Sequence, residues 1–226
     1  TLYVNGGGLL RVEEGIHSIG TVRVVRNSHV SARRMELNHT IVSKSKLIAW
    51  EKLKAGGAMS VNDGAEVFGR TSELEAASSD VSLQGAGTAW LSERLFVGGN
   101  EIQSTQNPVL PGLPRGTFEV GEGATTTVDE TLKIWPAGTV LLTGGLITAR
   151  TVEVQGALCG TGTVVANVVN TGGTVCPGVS PGTLQVNGNY TQDGDGTLEI
   201  EITGVAPGQF DVLSVRNIAA LDGTLK

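Results

Sequence analysis

Aromatic residues are scarce. Phe, Trp and Tyr make up 4% of 226 residues. A broad globular β-core of this length normally relies on rings that each bury a large area, so the scarcity excludes a wide interior and points to a narrow one filled by thin layers. Cysteine is almost missing: Cys159 and Cys176 stand alone. With no second cysteine pair and no nearby histidine, a structural zinc site is excluded, and no cofactor is expected. No apolar run approaches the roughly 20 residues of a membrane helix, so no membrane span is expected in this chain. The three histidines, His17, His29 and His39, fit neither the H-E-x-x-H spacing nor a pairing with an acid, and read as strand-face or surface residues. The sequence opens at Thr1 without Met or a signal-like segment, which suggests a processed or excised piece.

What is abundant is glycine, with 33 residues, about twice ordinary usage. Short runs of Val, Leu and Thr alternate with Gly, Asn and Pro turns, a pattern that favours strand over helix. Residues 160–192 show it best, and the rhythm returns after roughly a dozen to twenty residues. A unit repeating so soon cannot bury its apolar face alone and needs a copy stacked on each side. Apolar positions at Phe118, Leu132, Val152, Val168 and Leu184 read as one aligned series in coils of about 14–23 residues. The expected fold is all-β: a single-stranded parallel β-helix of roughly 10–11 coils over residues 1–204, less regular over 1–79. A proline-bearing insertion is expected at 100–115, and a changed pattern at 205–226 reads as the start of a truncated C-terminal continuation or cap. Residues 43–57 carry the one helix-like spacing (Leu47, Trp50, Leu53), but strand-like neighbours on both sides weigh against a lone helix.

Net charge is −6, unevenly spread. Residues 1–75 hold 10 Lys/Arg against 8 Asp/Glu, and residues 76–226 hold 6 against 14. The acidic C-terminal two-thirds argues against a nucleic-acid partner. The basic group Arg23, Arg26, Arg33, Arg34, Lys44, Lys46, Lys52 and Lys54 could meet an anionic polymer, although solvated strand faces are the preferred reading.

The series Val168-Val169-Asn170-Thr171-Gly172-Gly173, then Val175-Cys176-Pro177-Gly178-Val179-Ser180-Pro181-Gly182-Thr183-Leu184, resembles a segment of autotransporter passenger domains. Gly188-Asn189-Tyr190-Thr191-Gln192 and the later Phe210-Asp211 continue the likeness. Gly85-Ala86-Gly87-Thr88-x-Trp90 with Leu95-x-Val97-Gly98-Gly99 resembles a related passenger repeat. The resemblance covers residues 80–225. It implies a right-handed parallel β-helix, secreted to the surface of a bacterium, working as a structural or adhesive repeat protein without catalysis. Its motif residues Asn170, Gly172, Pro177, Gly178, Ser180, Pro181, Gly182, Asn189, Tyr190 and Asp211 are then turn and stacking residues. Implied partners are further copies, end to end or side by side, or a surface or matrix polysaccharide or protein. Passengers usually avoid cysteine, so the pair here is a departure.

Cys159 and Cys176 are 17 residues apart, close to the local coil length, with the same apolar-Cys order. One coil of offset brings their Cα atoms within bridging reach. An extracellular setting favours a disulfide over two reduced thiols in a stacked row. Gly178-Val179-Ser180-Pro181-Gly182 matches G-x-S-x-G, but the nucleophile elbow needs the backbone N–H after the serine, and Pro181 has none. Asp193-Gly194-Asp195-Gly196 is half a calcium loop and reads as a tight turn, with a weak cation site as the other reading. Glu199 and Glu201, with Glu119 on a similar face, keep open a carbohydrate-active or carbohydrate-binding β-helix. A rigid spacer for a domain outside this chain is a further reading. The sequons at Asn38 and Asn189 are explained by turn and strand roles.

Overall fold

The computed structural model describes residues 1–74, 79–99, 116–179 and 181–226. Among these residues there is no helix. The strands are β1 (Leu2–Val4), β2 (Leu9–Val25), β3 (His29–Ser43), β4 (Lys46–Ala55), β5 (Met59–Asn62), β6 (Glu66–Leu74), β7 (Ser79–Gln84), β8 (Ala89–Val97), β9 (Gly116–Gly121) and β10 (Thr125–Ile134). They continue with β11 (Gly138–Val154), β12 (Ala157–Asn170), β13 (Thr174–Pro177), β14 (Thr183–Val186), β15 (Tyr190–Gln192), β16 (Thr197–Leu198), β17 (Val212–Val215), β18 (Ala219–Ala220) and β19 (Thr224–Leu225). Every strand-to-strand ladder is parallel, and each strand pairs with the strand one coil away. The chain is a β-solenoid.

Each coil has three faces, here called A, B and C. Long strands such as β11 run through all three, bending where the register shifts between Thr143 and Leu146 and between Thr148 and Thr151. On face A one inward column runs the length of the molecule: Leu2, Val22, Thr40, Met59, Val81, Phe118, Val140, Leu158, Val175, Leu198 and Leu225, each the register partner of the next. Eleven members make ten coil steps. All but one step are 17–27 residues long. The step from Val81 to Phe118 is 37 and contains the expected insertion at 100–115, which lies outside the described residues. Face B stacks Leu10, Val30, Leu47, Val67, Trp90, Thr126, Ile147, Val164, Val186 and Val215. Face C stacks Ile16, Met35, Leu53, Ser72, Leu95, Leu132, Val152, Val168, Tyr190 and Ala219.

The period-two alternation of strands aims these residues inward, and their stacking forms one continuous narrow core. Few rings are needed. Among the described residues one ring pair is buried in it, Trp90 and Phe118, which meet edge-to-face at 5.5 Å between centroids.

Residues 43–57 form no helix, in keeping with their strand-like neighbours: β4 buries Leu47 and Ala49 on face B, then Leu53 and Ala55 on face C, with the corner between. One expectation is corrected. Leu132, Val152 and Val168 do share a column, but Phe118 belongs to face A and Leu184 to face B. The three faces carry the same alternation, so sequence phase alone does not say which face a run occupies. The coil register also continues past residue 204, through β17, β18 and β19. What changed the pattern is an excursion between β16 and β17, pinned by an antiparallel bridge between Ile202 and Phe210.

Candidate functional site

The corner between faces A and B turns the chain through left-handed backbone in coil after coil. Gly6, Arg26, Lys44, Asp63 and Gly85 occupy equivalent places in successive coils and have φ of 65°, 59°, 48°, 57° and 91°. Glycine adopts this region freely, whereas other residues pay roughly 1–2 kcal/mol. In later coils Gly123 and Gly144 have positive φ at this corner, and Gly160 has it just before the corner, opposite Leu142.

The motif residues near the C-terminal end converge on two hydrogen-bonded locks. In the first, Asp211 (9% exposed) accepts the Gly182 N–H at 2.8 Å with Oδ1 and the Glu201 N–H at 2.9 Å with Oδ2. It thereby fastens the turn after Pro177 to the base of the excursion. Gly178 has φ 103°, and a Cβ there would collide with the Asp211 carboxylate, so glycine is what lets the carboxylate lie against the turn. Ser180 lies outside the described residues; Pro181, which follows it, offers no N–H.

In the second lock Asn170 is fully buried. Its Oδ1 accepts the Gly173 N–H at 2.9 Å, while Nδ2 donates to the Thr197 carbonyl at 3.2 Å and to Gln192 Oε1 at 3.3 Å. The Tyr190 hydroxyl donates to the same Gln192 oxygen at 2.7 Å, and Gln192 Nε2 donates to the carbonyls of Asp222 at 2.6 Å and Thr224 at 3.2 Å. Burial pushes the Tyr190 phenol above its ordinary value, with hydrogen bonding to Asn170 opposing. Gly172 makes the neighbouring corner at φ 99°. Asn189 accepts the Ile218 N–H at 3.2 Å with Oδ1. These residues hold one coil to the next, and sequence spacing alone did not reveal the roles of Gln192 and Asp211 as hubs.

Cys159 and Cys176 are register partners on the outer side of face A and are joined by a disulfide, with Cα atoms 4.5 Å apart. Of the carboxylates considered for sugar chemistry, Glu199 and Glu201 line one recess, but Glu119 does not join them. Glu119 shares that outer column, but it lies four coil steps from Glu199, through Leu141, Cys159 and Cys176. That is about 19 Å at ~4.8 Å per step, beyond the roughly 5–9.5 Å of paired glycosidase carboxylates. Glu119 instead accepts from Gln84 at 3.1 Å and Thr143 at 3.0 Å, and Glu199 pairs with Lys226 at 3.1 Å. Asp193 Oδ1 accepts the Asp195 N–H at 3.2 Å, an ordinary turn contact. Among the described residues no three metal-ligating side chains cluster.

Outside face C, His17, Glu36, Lys54 and Glu73 stack in register with alternating polarity. His17 meets Glu36 at 3.0 Å and Lys54 meets Glu36 at 3.7 Å. Arg33 and Arg34 converge on Glu51, whose carboxyl is held below the usual range by Arg34 first and Arg33 next. Lys46 pairs with Glu66 at 2.7 Å and Lys52 with Glu73 at 2.9 Å. Of the basic residues singled out above, Arg23, Arg26 and Lys44 have no ion pair among the described residues.

No protein-family model matches this chain, and neither the curated proteins nor the solved structures include one similar to it.

Proposed function

We propose that the chain is a rigid section of a secreted, bacterial cell-surface β-helical protein of the autotransporter-passenger kind. Its work is structural and adhesive: it carries loops away from the cell and offers side faces for self-association, without catalysis. The observation that carries this reading is the uninterrupted inward column from Leu2 to Leu225. Every coil is committed to stacking, and the buried polar side chains Asp211, Asn170 and Gln192 are consumed in holding coils together. At ~4.8 Å per step, ten steps make a rod of about 48 Å. The Asn-x-Gly and Pro-Gly-x-Ser-Pro-Gly turns support the family likeness.

The alternative, a carbohydrate-active β-helix, is favoured by one feature. A recess of about 320 Å³ is lined by Glu199, Glu201, Asp211 and Lys226. Against it, both Asp211 oxygens are occupied by backbone N–H groups. The two readings separate in one experiment: incubate the purified chain with uronate polymers and measure new reducing or unsaturated ends, and in parallel measure retention on bacterial surfaces and polysaccharide films. Retention without product is expected. Turnover abolished by E199Q or E201Q would overturn the structural reading.

A further inference from the structure

Arg26 and Lys44 stand at the corner place that Gly6, Gly85 and Gly144 fill in other coils. Both have left-handed backbone, both are exposed, and they occupy equivalent corner places one coil apart. Neither is ion-paired among the described residues. Like charges stacked on neighbouring strands repel, and non-glycine residues in this backbone region add strain. Two independent costs therefore fall on the same two cations, whereas Arg33, Arg34, Lys52 and Lys54 in the same coils are matched by carboxylates.

The surroundings suit an anion. Arg23, outward on face A, is also exposed and unpaired, and its register partner Tyr3 is 56% exposed in a chain with few rings. A surface recess of about 500 Å³ is lined by Lys44 together with Asn27, Ser28, His29, Ser45 and Asp63. Asp63 closes the ridge on the C-terminal side, its Oδ2 accepting from the Ser43 hydroxyl at 2.7 Å. Lys46 is neutralised by Glu66.

We propose that this corner, built from Tyr3, Arg23, Arg26 and Lys44, binds an acidic polysaccharide. The guanidinium and ammonium groups would take successive uronate carboxylates, with Tyr3 stacking against a sugar face. The inference rests on the non-catalytic surface reading above and adds its partner class. A glycan is favoured over a nucleic acid because Tyr3 offers a face to a sugar ring beside cations that suit carboxylates, and the chain's net charge of −6 works against the long run of phosphate contacts on which nucleic-acid binding draws.

The test compares wild type with R26G/K44G, which installs the residue other coils use there and so preserves the fold. A second variant, R150S/R216S, removes two exposed charges elsewhere. Binding is measured to polygalacturonate, to neutral dextran and to a single-stranded oligonucleotide, across a salt series. The expected result is salt-sensitive binding of wild type to polygalacturonate alone. R26G/K44G should weaken it at least about tenfold and lower the salt slope by roughly the two charges removed, with an unfolding midpoint equal to or above wild type. R150S/R216S should bind as wild type. Absence of wild-type binding at low salt, equal loss in R150S/R216S, or equal binding of the oligonucleotide would overturn the proposal. Product release from bound polygalacturonate would overturn the non-catalytic reading while leaving the ridge supported.

Discussion

Asp211 is the residue on which the C-terminal turns depend most. It satisfies two backbone donors from segments about twenty residues apart, with a carboxylate as acceptor. Hydrogen bonds to charged groups contribute about 1.5–3 kcal/mol each, and orphaned donors add a desolvation cost. Asp211→Ala should therefore lower stability by about 2–4 kcal/mol. Asp211→Asn, which keeps one accepting oxygen, should lose roughly half as much. Denaturant midpoints of the two variants give the order, and proteolysis should open first near residues 177–182. Tyr190 makes a pH prediction. Burial raises its folded phenol above the unfolded value of about 10. Its stabilising contribution is complete below pH about 10 and is lost as pH rises through the folded value. Urea midpoints measured upward from pH about 9 should fall for wild type, and Tyr190→Phe should remove that part of the slope.

At the scale of the element, corner glycines divide into two kinds that sequence alone does not separate. Gly6 and Gly160 both have positive φ, but a Cβ at Gly6 meets nothing within 4 Å, whereas at Gly160 it collides with the Leu142 carbonyl of the preceding coil. Gly6→Ala should cost about 1 kcal/mol, from backbone alone. Gly160→Ala should cost about 2 kcal/mol or more, because the ladder between β11 and β12 must move as well. Thermal unfolding of the pair decides it. The strands themselves were legible because alternation and turn residues are local signals. Face assignment was not. Phe118 and Leu132 lie in one coil on different faces, and nothing in fourteen residues of sequence counts the corners between them. The disulfide partners were legible for the opposite reason, since both lie on face A and no corner miscount intervenes. Asp211 was visible only as a motif residue. Its partners come from the distant turn and from the excursion, a juxtaposition fixed by coil stacking rather than by spacing.

At the scale of the whole molecule, each coil touches only its neighbours, so stability is a sum of coil and interface contributions rather than one cooperative quantity. The ladders between β2 and β3 and between β11 and β12 are long and continuous. Toward the last coil the strands shorten to two residues and become exposed. The Cys159–Cys176 disulfide sits between these regimes, tying β12 to β13. In the chain-entropy model a loop of this size contributes about 3 kcal/mol, but in a one-dimensional stack that contribution belongs to the coils it links. Reduction should therefore speed amide hydrogen exchange in β13, β14 and β16 while β3 and β4 keep their protection. A globular core would spread the loss over every strand. Exchange measured by mass spectrometry before and after reduction separates the two outcomes, and a uniform loss reaching β3 would mean that the coils do not act as nearest-neighbour units. The same locality bears on adhesion, because a ridge at the N-terminal coils can be altered, as in R26G/K44G, without disturbing the locks at Asp211 and Asn170 five to eight coil steps away.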